Sequence, residues 1–218
     1  MRPYCVYTPA RHGEFAGDFA NSARLFDLAV NDWTGDGRFS KAAQQAEFRF
    51  AERGHKWPTL AKVLPKLPEY RYYAFVDEDI DVSVEILNSL FQAGDLFGLS
   101  LYQPALTARS YSNHEFARVE PNSYIRPTTF VEIMVPFFSH EALVKCLPTF
   151  ELSELGWGLE YLWNEILRSK GMAIVDRFPV THIRPVQSAR WKNHRGETAE
   201  QECARMLQEW QARKASYL

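Results

Sequence analysis

An apolar segment that stops abruptly at acidic residues is the feature that most constrains the fold of this chain. Residues 72–76 combine aromatic and β-branched side chains, and Asp77, Glu78, Asp79 and Asp81 follow directly. Such a run is typical of a strand buried on both faces, as the parallel strands of α/β proteins are. Carboxylates at the carboxyl end of such a strand lie where open α/β sheets bind ligands. The segment therefore predicts an α/β fold with a ligand site at this strand end.

The rest of the chain alternates short apolar runs with amphipathic segments, which indicates a mixed, mostly parallel central sheet flanked by helices. The other predicted strands are residues 4–7, 25–30, 99–102, 130–135, 173–175 and 180–183. The predicted helix starts are Trp57, Asp81 as an N-cap of a helix ending at Gly94, Ser139, the residue after Gly158, and Thr198. Residues 107–129 lack an apolar period, so we expect a long surface loop with a functional role.

Length and composition predict one compact domain. The 218 residues are 46% hydrophobic, which suffices for one well-buried core. We expect residues 1–186 to form the α/β domain and residues 187–218 to form a C-terminal helix that packs on it. The 25 basic and 27 acidic residues are interspersed. A nucleic-acid partner is therefore not expected, because that function needs a concentrated basic surface.

The sequence also bears on the cellular compartment. The N-terminus lacks the basic start and apolar stretch of a signal peptide, and no apolar run is long enough for a transmembrane segment. The three cysteines, Cys5, Cys146 and Cys203, are widely spaced and odd in number. This spacing fits neither a disulfide framework nor a zinc site. We therefore expect a cytoplasmic protein.

The acids after residue 76 predict a metal site. Asp77 and Asp79 alternate at the strand end, where they can hold Mn²⁺ or Mg²⁺ together with the diphosphate of a nucleotide. The alternative is an acidic turn that caps the next helix. Because one acid suffices for a cap, four acids introduce repulsion that capping alone does not explain. We favour the metal site.

Several short motifs, taken in order, resemble one family, the domain-of-unknown-function family seven hundred and seven, which looks like a GT-A glycosyltransferase family. The resemblance covers roughly residues 26–186. The segments that carry it are Lys56-Trp57, Phe75-Val76-Asp77-Glu78-Asp79, Gln103-Pro104, Phe130 to Phe137, Gly156-Trp157-Gly158-Leu159-Glu160 and His182-Ile183-Arg184-Pro185. The resemblance implies a single Rossmann-like GT-A domain that binds a nucleotide-diphospho-sugar.

The resemblance also implies a catalytic residue and a third metal ligand. Glu160 lies in the first turn of its predicted helix, at the position where inverting GT-A enzymes generally keep the general base. Without the resemblance, an acid that complements the helix dipole is an equally good interpretation. His182 is expected to join Asp77 and Asp79 on the metal, with a structural hydrogen-bonding histidine as the alternative.

Five further residues are candidates for substrate binding. For the donor these are Asp32, Trp57, Arg184 and again Asp77, and for the acceptor they are Glu132 and Trp157. For four of them the sequence leaves an alternative open. Arg184 and Glu132 can serve in surface or structural ion pairs, and both tryptophans can pack in the core.

The sequence therefore predicts metal-dependent transfer of a sugar from a nucleotide-diphosphate donor to the hydroxyl of a carbohydrate or other acceptor, with inversion. The first alternative is a non-catalytic module on the same fold that binds a carbohydrate or a nucleotide-sugar. A sugar-nucleotide pyrophosphorylase ranks third, because residues 8–17 contain only Gly13 and Gly17 and lack its glycine-rich phosphate loop.

Overall fold

A computed structural model describes residues 2–19, 23–185 and 191–216. The strands are β1 Tyr4–Pro9, β2 Phe26–Asn31, β3 Phe48–Phe50, β4 Tyr72–Phe75, β5 Ile80–Asp81, β6 Leu101–Leu106, β7 Ile125–Pro127, β8 Phe137–Ser139 and β9 Met172–His182. The helices are α1 Lys56–Val63, α2 Val84–Phe97, α3 His140–Cys146, α4 Leu159–Leu167 and α5 Ala199–Arg213. This order confirms the mixed α/β class.

The strands form one sheet in the order β3-β2-β1-β4-β8-β6-β9-β5, with β7 also paired to β9. Strands β1 to β4, β6 and β9 share one direction, because β8 is antiparallel to both β4 and β6 and β9 is parallel to β6. The chain winds outward from β1 to β3 and then returns to the other side of β1 as β4. Such a reversal opens a crevice at the carboxyl ends of the strands.

The sheet has a hydrophobic core on each face. Along β4, Tyr72 and Ala74 belong to one core, whereas Tyr73 and Phe75 belong to the other. Helix α2 covers the first face, and α1, α3, α4 and α5 cover the second. Strand β4 is therefore buried on both faces, as its continuously apolar sequence predicted.

Four local predictions are wrong, one of them being the separate pieces at 173–175 and 180–183, which belong to the single strand β9. Asp81 lies in β5, and Ser83 is the N-cap of α2, where its side chain accepts from the Ile86 amide. Helix α2 continues past Gly94 and ends at Phe97, and the φ of 60° at its C-cap, Gly98, favours glycine. Residues 130–135 form no strand; the strand starts at 137.

The C-terminal helix is confirmed, including the capping box between Thr198 and Gln201. Helix α5 buries Met206 and Trp210 in the core beneath the sheet. The predicted boundary between residues 186 and 187 lies outside the described residues.

Candidate functional site

A cleft of about 590 Å³ lies at the carboxyl edge of the parallel strands. Its walls come from the last residue of β1, from the segments that follow β2, β3 and β4, from the loop before α4, and from the first residue of α5 and the segment before it. The lining residues are Pro9, Trp33, Thr34, Arg53, Gly54, His55, Lys56, Trp57, Asp77, Glu78, Glu154, Leu155, Trp157, Trp191 and Ala199. Its volume is in the usual range for a small-molecule site.

Asp77 lies against a lysine that the sequence did not suggest as a site residue. The Lys56 ammonium donates to Asp77 Oδ1 at 2.6 Å and to the carbonyls of Phe75 and Ile133 at 2.9 and 2.6 Å. Burial raises the pKa of Asp77 to about 6, although the charge of Lys56 acts in the opposite direction. The Asp77 side chain remains 32% exposed, so it can still reach a ligand in the cleft.

The same lysine explains why residues 130–135 form no strand. The carbonyl of Ile133 turns toward the Lys56 ammonium instead of pairing with a neighbouring strand. The backbone amide of Glu132 likewise donates to Gln103 Oε1, at 2.6 Å. Backbone pairing of residues 130–136 next to β4 is therefore limited, among the described residues, to the bonds from the Asp77 amide to Met134 and from the Phe75 amide to Pro136.

Asp79 and His182 meet at the end of β9. His182 Nε2 lies 3.5 Å from Asp79 Oδ2, and His182 Nδ1 lies 2.7 Å from the carbonyl oxygen of Tyr111. Burial alone would lower the pKa of His182, but the Asp79 carboxylate outweighs it and raises that pKa. When the imidazole is neutral, donation from Nδ1 to the carbonyl leaves the Nε2 lone pair facing Asp79.

Asp79 and His182 form a suitable but minimal set of ligands for a divalent ion. Within residues 2–19, 23–185 and 191–216, no three His, Cys, Asp or Glu side chains form a group that could hold a metal. Mg²⁺ sites in proteins often use one or two carboxylates, with substrate phosphates and water as further ligands. A carbonyl that fixes the second nitrogen is also the usual companion of a ligating histidine. Asp79 and His182 therefore fit an ion that shares a diphosphate.

Glu78, the middle acid of the motif, connects three segments around the cleft. Its Oε2 accepts from the Arg11 amide at 2.6 Å and from Trp33 Nε1 at 3.2 Å, and its Oε1 accepts from Arg184 Nη1 at 3.0 Å. Arg184 thus lies beside the acidic motif, and its side chain is 59% exposed. The sequence offered no signal for these partners.

Asp32 is engaged by the loop that follows β2. It is fully buried, and its Oδ1 accepts from the His12 amide at 3.0 Å and the Thr34 hydroxyl at 2.8 Å. Its Oδ2 accepts from the Arg38 amide at 3.2 Å. Burial would raise the pKa of Asp32, but these hydrogen bonds together lower it. Asp32 therefore orders the loop that carries Trp33 and Thr34 into the cleft.

Trp57 packs as a core residue, the alternative that the sequence left open. It is 1% exposed, and its ring centroid lies 4.7 Å from that of Phe150 and 5.0 Å from that of Trp163. It supports the cleft from beneath and offers little surface to a ligand.

Three other tryptophans line the cleft with more exposed surface. They are Trp33, Trp157 and Trp191, of which Trp191 is 53% exposed. Trp157, predicted to contact the acceptor, therefore lies in the same cleft as Asp77. Trp33 directly follows Asp32 at the end of β2, and this position is the signal by which the sequence could have identified it.

Glu160 and Glu132 are two further acids that the fold buries. Glu160 is 6% exposed, and its Oε2 accepts from the Gly158 amide at 2.8 Å. Glu132 is 4% exposed, and its Oε1 accepts from the Ser112 hydroxyl at 3.1 Å. Burial raises the pKa of each to about 7, and the charge of Glu132 raises that of Glu160 further. Both carboxyls can therefore exchange protons near neutral pH.

The loop that leads to Glu160 is held by Glu202 of α5, which was not among the predicted site residues. The Glu202 carboxylate accepts from the Ser153 hydroxyl at 2.7 Å and from the amides of Glu154 and Leu155 at 3.1 and 2.9 Å. Asn193 Nδ2 donates to it at 2.9 Å. The C-terminal helix therefore fixes one wall of the cleft.

No family model matches the chain, and a search of curated proteins finds no match either. Among solved structures, S. aureus TarS 1-349 in complex with UDP matches with a TM-score of 0.52 at 14% identity, over 83% of this chain and 59% of the TarS chain. TarS 1-349 in complex with UDP-GlcNAc matches with a TM-score of 0.49 at 14% identity, over 83% and 57%.

The match to the UDP complex shows the fold, and this chain spans about three fifths of the TarS chain. Across the described parts of the chain, no helix is long and apolar enough to cross a membrane. The α/β architecture predicted from the acidic strand end is therefore the GT-A-like fold that TarS also has.

Proposed function

We propose that this protein is a glycosyltransferase that moves a sugar from a nucleoside diphosphate to an acceptor hydroxyl. The observation that carries the proposal is the cleft at the carboxyl strand edge, which is lined by Asp77 and Glu78 and adjoins the Asp79–His182 contact. The fold shared with TarS, which was crystallised with UDP, supports it.

We also propose that the chain is a member of the domain-of-unknown-function family seven hundred and seven. We further propose a cytoplasmic location, since all three cysteines are free thiols.

The cleft suits a nucleoside diphosphate in volume and in its aromatic lining. The indole rings of Trp33, Trp157 and Trp191 border it, and aromatic faces bind nucleobases and sugar rings by stacking. Arg53 also lines the cleft, and we infer that its charge attracts the diphosphate. Arg184 lies outside the lining and is paired with Glu78 at 3.0 Å.

Asp79 and His182 would hold Mn²⁺ or Mg²⁺ at the diphosphate, and Asp77 would face the donor from the same strand end. When bound, such an ion supplies positive charge that neutralises the leaving diphosphate. Lys56 holds Asp77 in place through its 2.6 Å contact.

Glu160 is the proposed general base. In the reaction, an acceptor oxygen forms a bond to the anomeric carbon as the bond from that carbon to the diphosphate breaks. The acceptor proton passes to Glu160, and the nucleoside diphosphate leaves with the bonding electrons. A pKa of about 7 suits this role, because a base is most effective when its pKa is near the working pH. Attack opposite to the leaving group inverts the anomeric carbon.

Calorimetric titration with UDP and GDP, with and without Mn²⁺, tests the donor site. We expect metal-dependent binding of one nucleotide, and we expect Asp79→Asn to remove the metal dependence. The matched control is Asp81→Asn, the same chemical change two positions along the chain at an exposed residue of β5.

Equal loss of binding in both variants, or no binding of either nucleotide to the wild type, would contradict the donor site. Nucleotide binding without sugar transfer or donor hydrolysis would instead favour the non-catalytic module.

A further inference from the structure

Four aromatic rings form a continuous cluster on the surface next to the buried acids Glu132 and Glu160. The ring centroid of Phe130 lies 5.0 Å from that of His114, 5.5 Å from that of Phe116 and 5.3 Å from that of Tyr161. Phe116 is 43% exposed and Tyr161 is 52% exposed. We call these four residues the aromatic platform. Its rings come from two distant parts of the chain, so the fold assembles it.

A groove of about 490 Å³ adjoins the aromatic platform. Phe116 and Phe130 form its apolar side, and Thr128, Thr129 and Ser169 contribute hydroxyls, of which those of Thr128 and Ser169 also donate to the Phe130 carbonyl and to Asn164 Oδ1. An apolar surface with a few hydrogen-bonding groups around it is the usual composition of a small-molecule site. The groove therefore fits an occupant that has both an apolar face and hydroxyl groups.

The charge of the groove indicates a neutral occupant. Its charged side chain, Arg126, is already engaged, because its Nε lies 3.1 Å from Asp176 and its Nη2 donates to the Arg118 carbonyl at 2.7 Å. Arg126 Nη1 also lies 3.6 Å from Glu120. A phosphate or an acidic peptide would have to compete with these carboxylates for the guanidinium.

Three links join the aromatic platform to the proposed base Glu160 and to Glu132. Tyr161 directly follows Glu160 in α4, and Phe130 lies two residues before Glu132. The Ser112 hydroxyl contacts Glu132 at 3.1 Å and accepts from the amide of His114 at 3.0 Å, so the backbone that carries the His114 ring is held to Glu132.

We propose that the aromatic platform and its groove are the acceptor subsite, and that the acceptor is a neutral carbohydrate whose pyranose ring stacks on Phe116 and Tyr161. The C–H face of a pyranose supplies the apolar contact, and its hydroxyls match the threonine and serine groups of the groove. This inference rests on the proposed function, because it places the acceptor next to Glu160. It assigns the class of acceptor, which neither the cleft nor the fold specifies.

Saturation-transfer NMR with four neutral trisaccharides tests the subsite: maltotriose, cellotriose, laminaritriose and N,N′,N″-triacetylchitotriose. The variant is the double substitution Phe116→Ala/Tyr161→Ala. The matched control is Phe97→Ala/Tyr124→Ala, because these rings form another surface pair, 5.9 Å apart, with exposures of 46% and 44%. We expect at least one trisaccharide to bind the wild type and the control. We expect binding to weaken about ten-fold or more in the platform variant.

UDP titration of the same proteins separates this inference from the proposed function. Retained UDP binding with lost saccharide binding in the platform variant supports the subsite. Saccharide binding that is equal in both double variants overturns it, and so does the absence of binding by all four trisaccharides. Failure of the wild type to bind UDP while saccharide binding still depends on the platform contradicts the donor site alone.

Discussion

The Glu202 carboxylate gives the sharpest test of how this structure holds its site. It is 2% exposed and accepts four hydrogen bonds between 2.7 and 3.1 Å from Ser153, Glu154, Leu155 and Asn193. The perturbation is Glu202→Gln, which keeps the shape of the side chain. Because an amide has only one acceptor oxygen, two of the four donors would then face an NH₂ group.

The magnitude follows from those two lost contacts. A hydrogen bond to a charged group contributes about 1.5–3 kcal/mol, and a buried donor without an acceptor is costly. Removing the buried charge offsets part of the loss. We therefore expect Glu202→Gln to lower the free energy of unfolding by about 3 kcal/mol. For a chain of this size, that lowers the Tm by about 6–12 °C.

The effect of Glu202→Gln should depend on pH. Burial by itself would raise the pKa of Glu202, but the hydrogen bonds, with that from Asn193 the largest, outweigh it and lower the pKa. A carboxyl whose folded pKa is depressed stabilises the protein above its unfolded pKa and loses that contribution as the pH falls through the folded pKa. The difference between wild type and variant should therefore shrink in acid.

Urea unfolding at neutral and acidic pH measures both effects. The control is Glu209→Gln on the same helix, where the exposed pair with Arg205 at 3.2 Å should contribute only about 0.2–1 kcal/mol. The reasoning is refuted if Glu202→Gln stays within about 0.5 kcal/mol of the wild type at neutral pH. A difference that persists unchanged in acid would refute the assigned role of the charge.

Two further predictions concern the start of α4. Gly158 has a φ of 95°, and an added Cβ would lie 2.6 Å from Met206 Cε, so Gly158→Ala should cost about 2–4 kcal/mol in thermal unfolding. The control is Gly98→Ala, where φ is 60° and an added Cβ has no neighbour within 4 Å, so backbone strain alone should cost about 1 kcal/mol. Equal costs for the two substitutions would contradict the close packing at Gly158. Burial raises the pKa of Glu160 to about 7, so the transfer rate should rise with pH through about 7, where a base loses its proton. Glu160→Gln should lower the rate about 10²–10⁴-fold while UDP binding persists, and a flat pH profile would exclude the base role.

Local patterns in the sequence determined much of the fold. The continuous apolar run of β4 predicted a strand buried on both faces, and the structure places its alternate side chains in two cores. The capping box of Thr198 and Gln201 located α5, and Ser139 located α3. These features succeed because caps and hydrophobic periods act between residues a few positions apart.

Predictions from the sequence were wrong where contacts with residues far along the chain override local preferences. Residues 130–135 have the composition of a strand, yet the carbonyl of Ile133 bonds to Lys56, 77 positions away along the chain. The helix before Gly98 runs on past Gly94, whose missing side chain leaves room for Tyr102; an added Cβ would lie 2.3 Å from that hydroxyl. Gly94, which the local pattern predicted as the helix end, is therefore a helical residue against which Tyr102 packs.

For the candidate site, the sequence by itself determined which acids stand at the strand end, and only the tertiary structure decided their partners. Lys56 contacts Asp77 across 21 positions, and Arg184 contacts Glu78 across 106. The fold also buried Asp32 and Trp57, which the sequence had assigned to the donor. A strand end is fixed by local composition, whereas the partner of a charge depends on which distant segments the sheet order brings to the same edge.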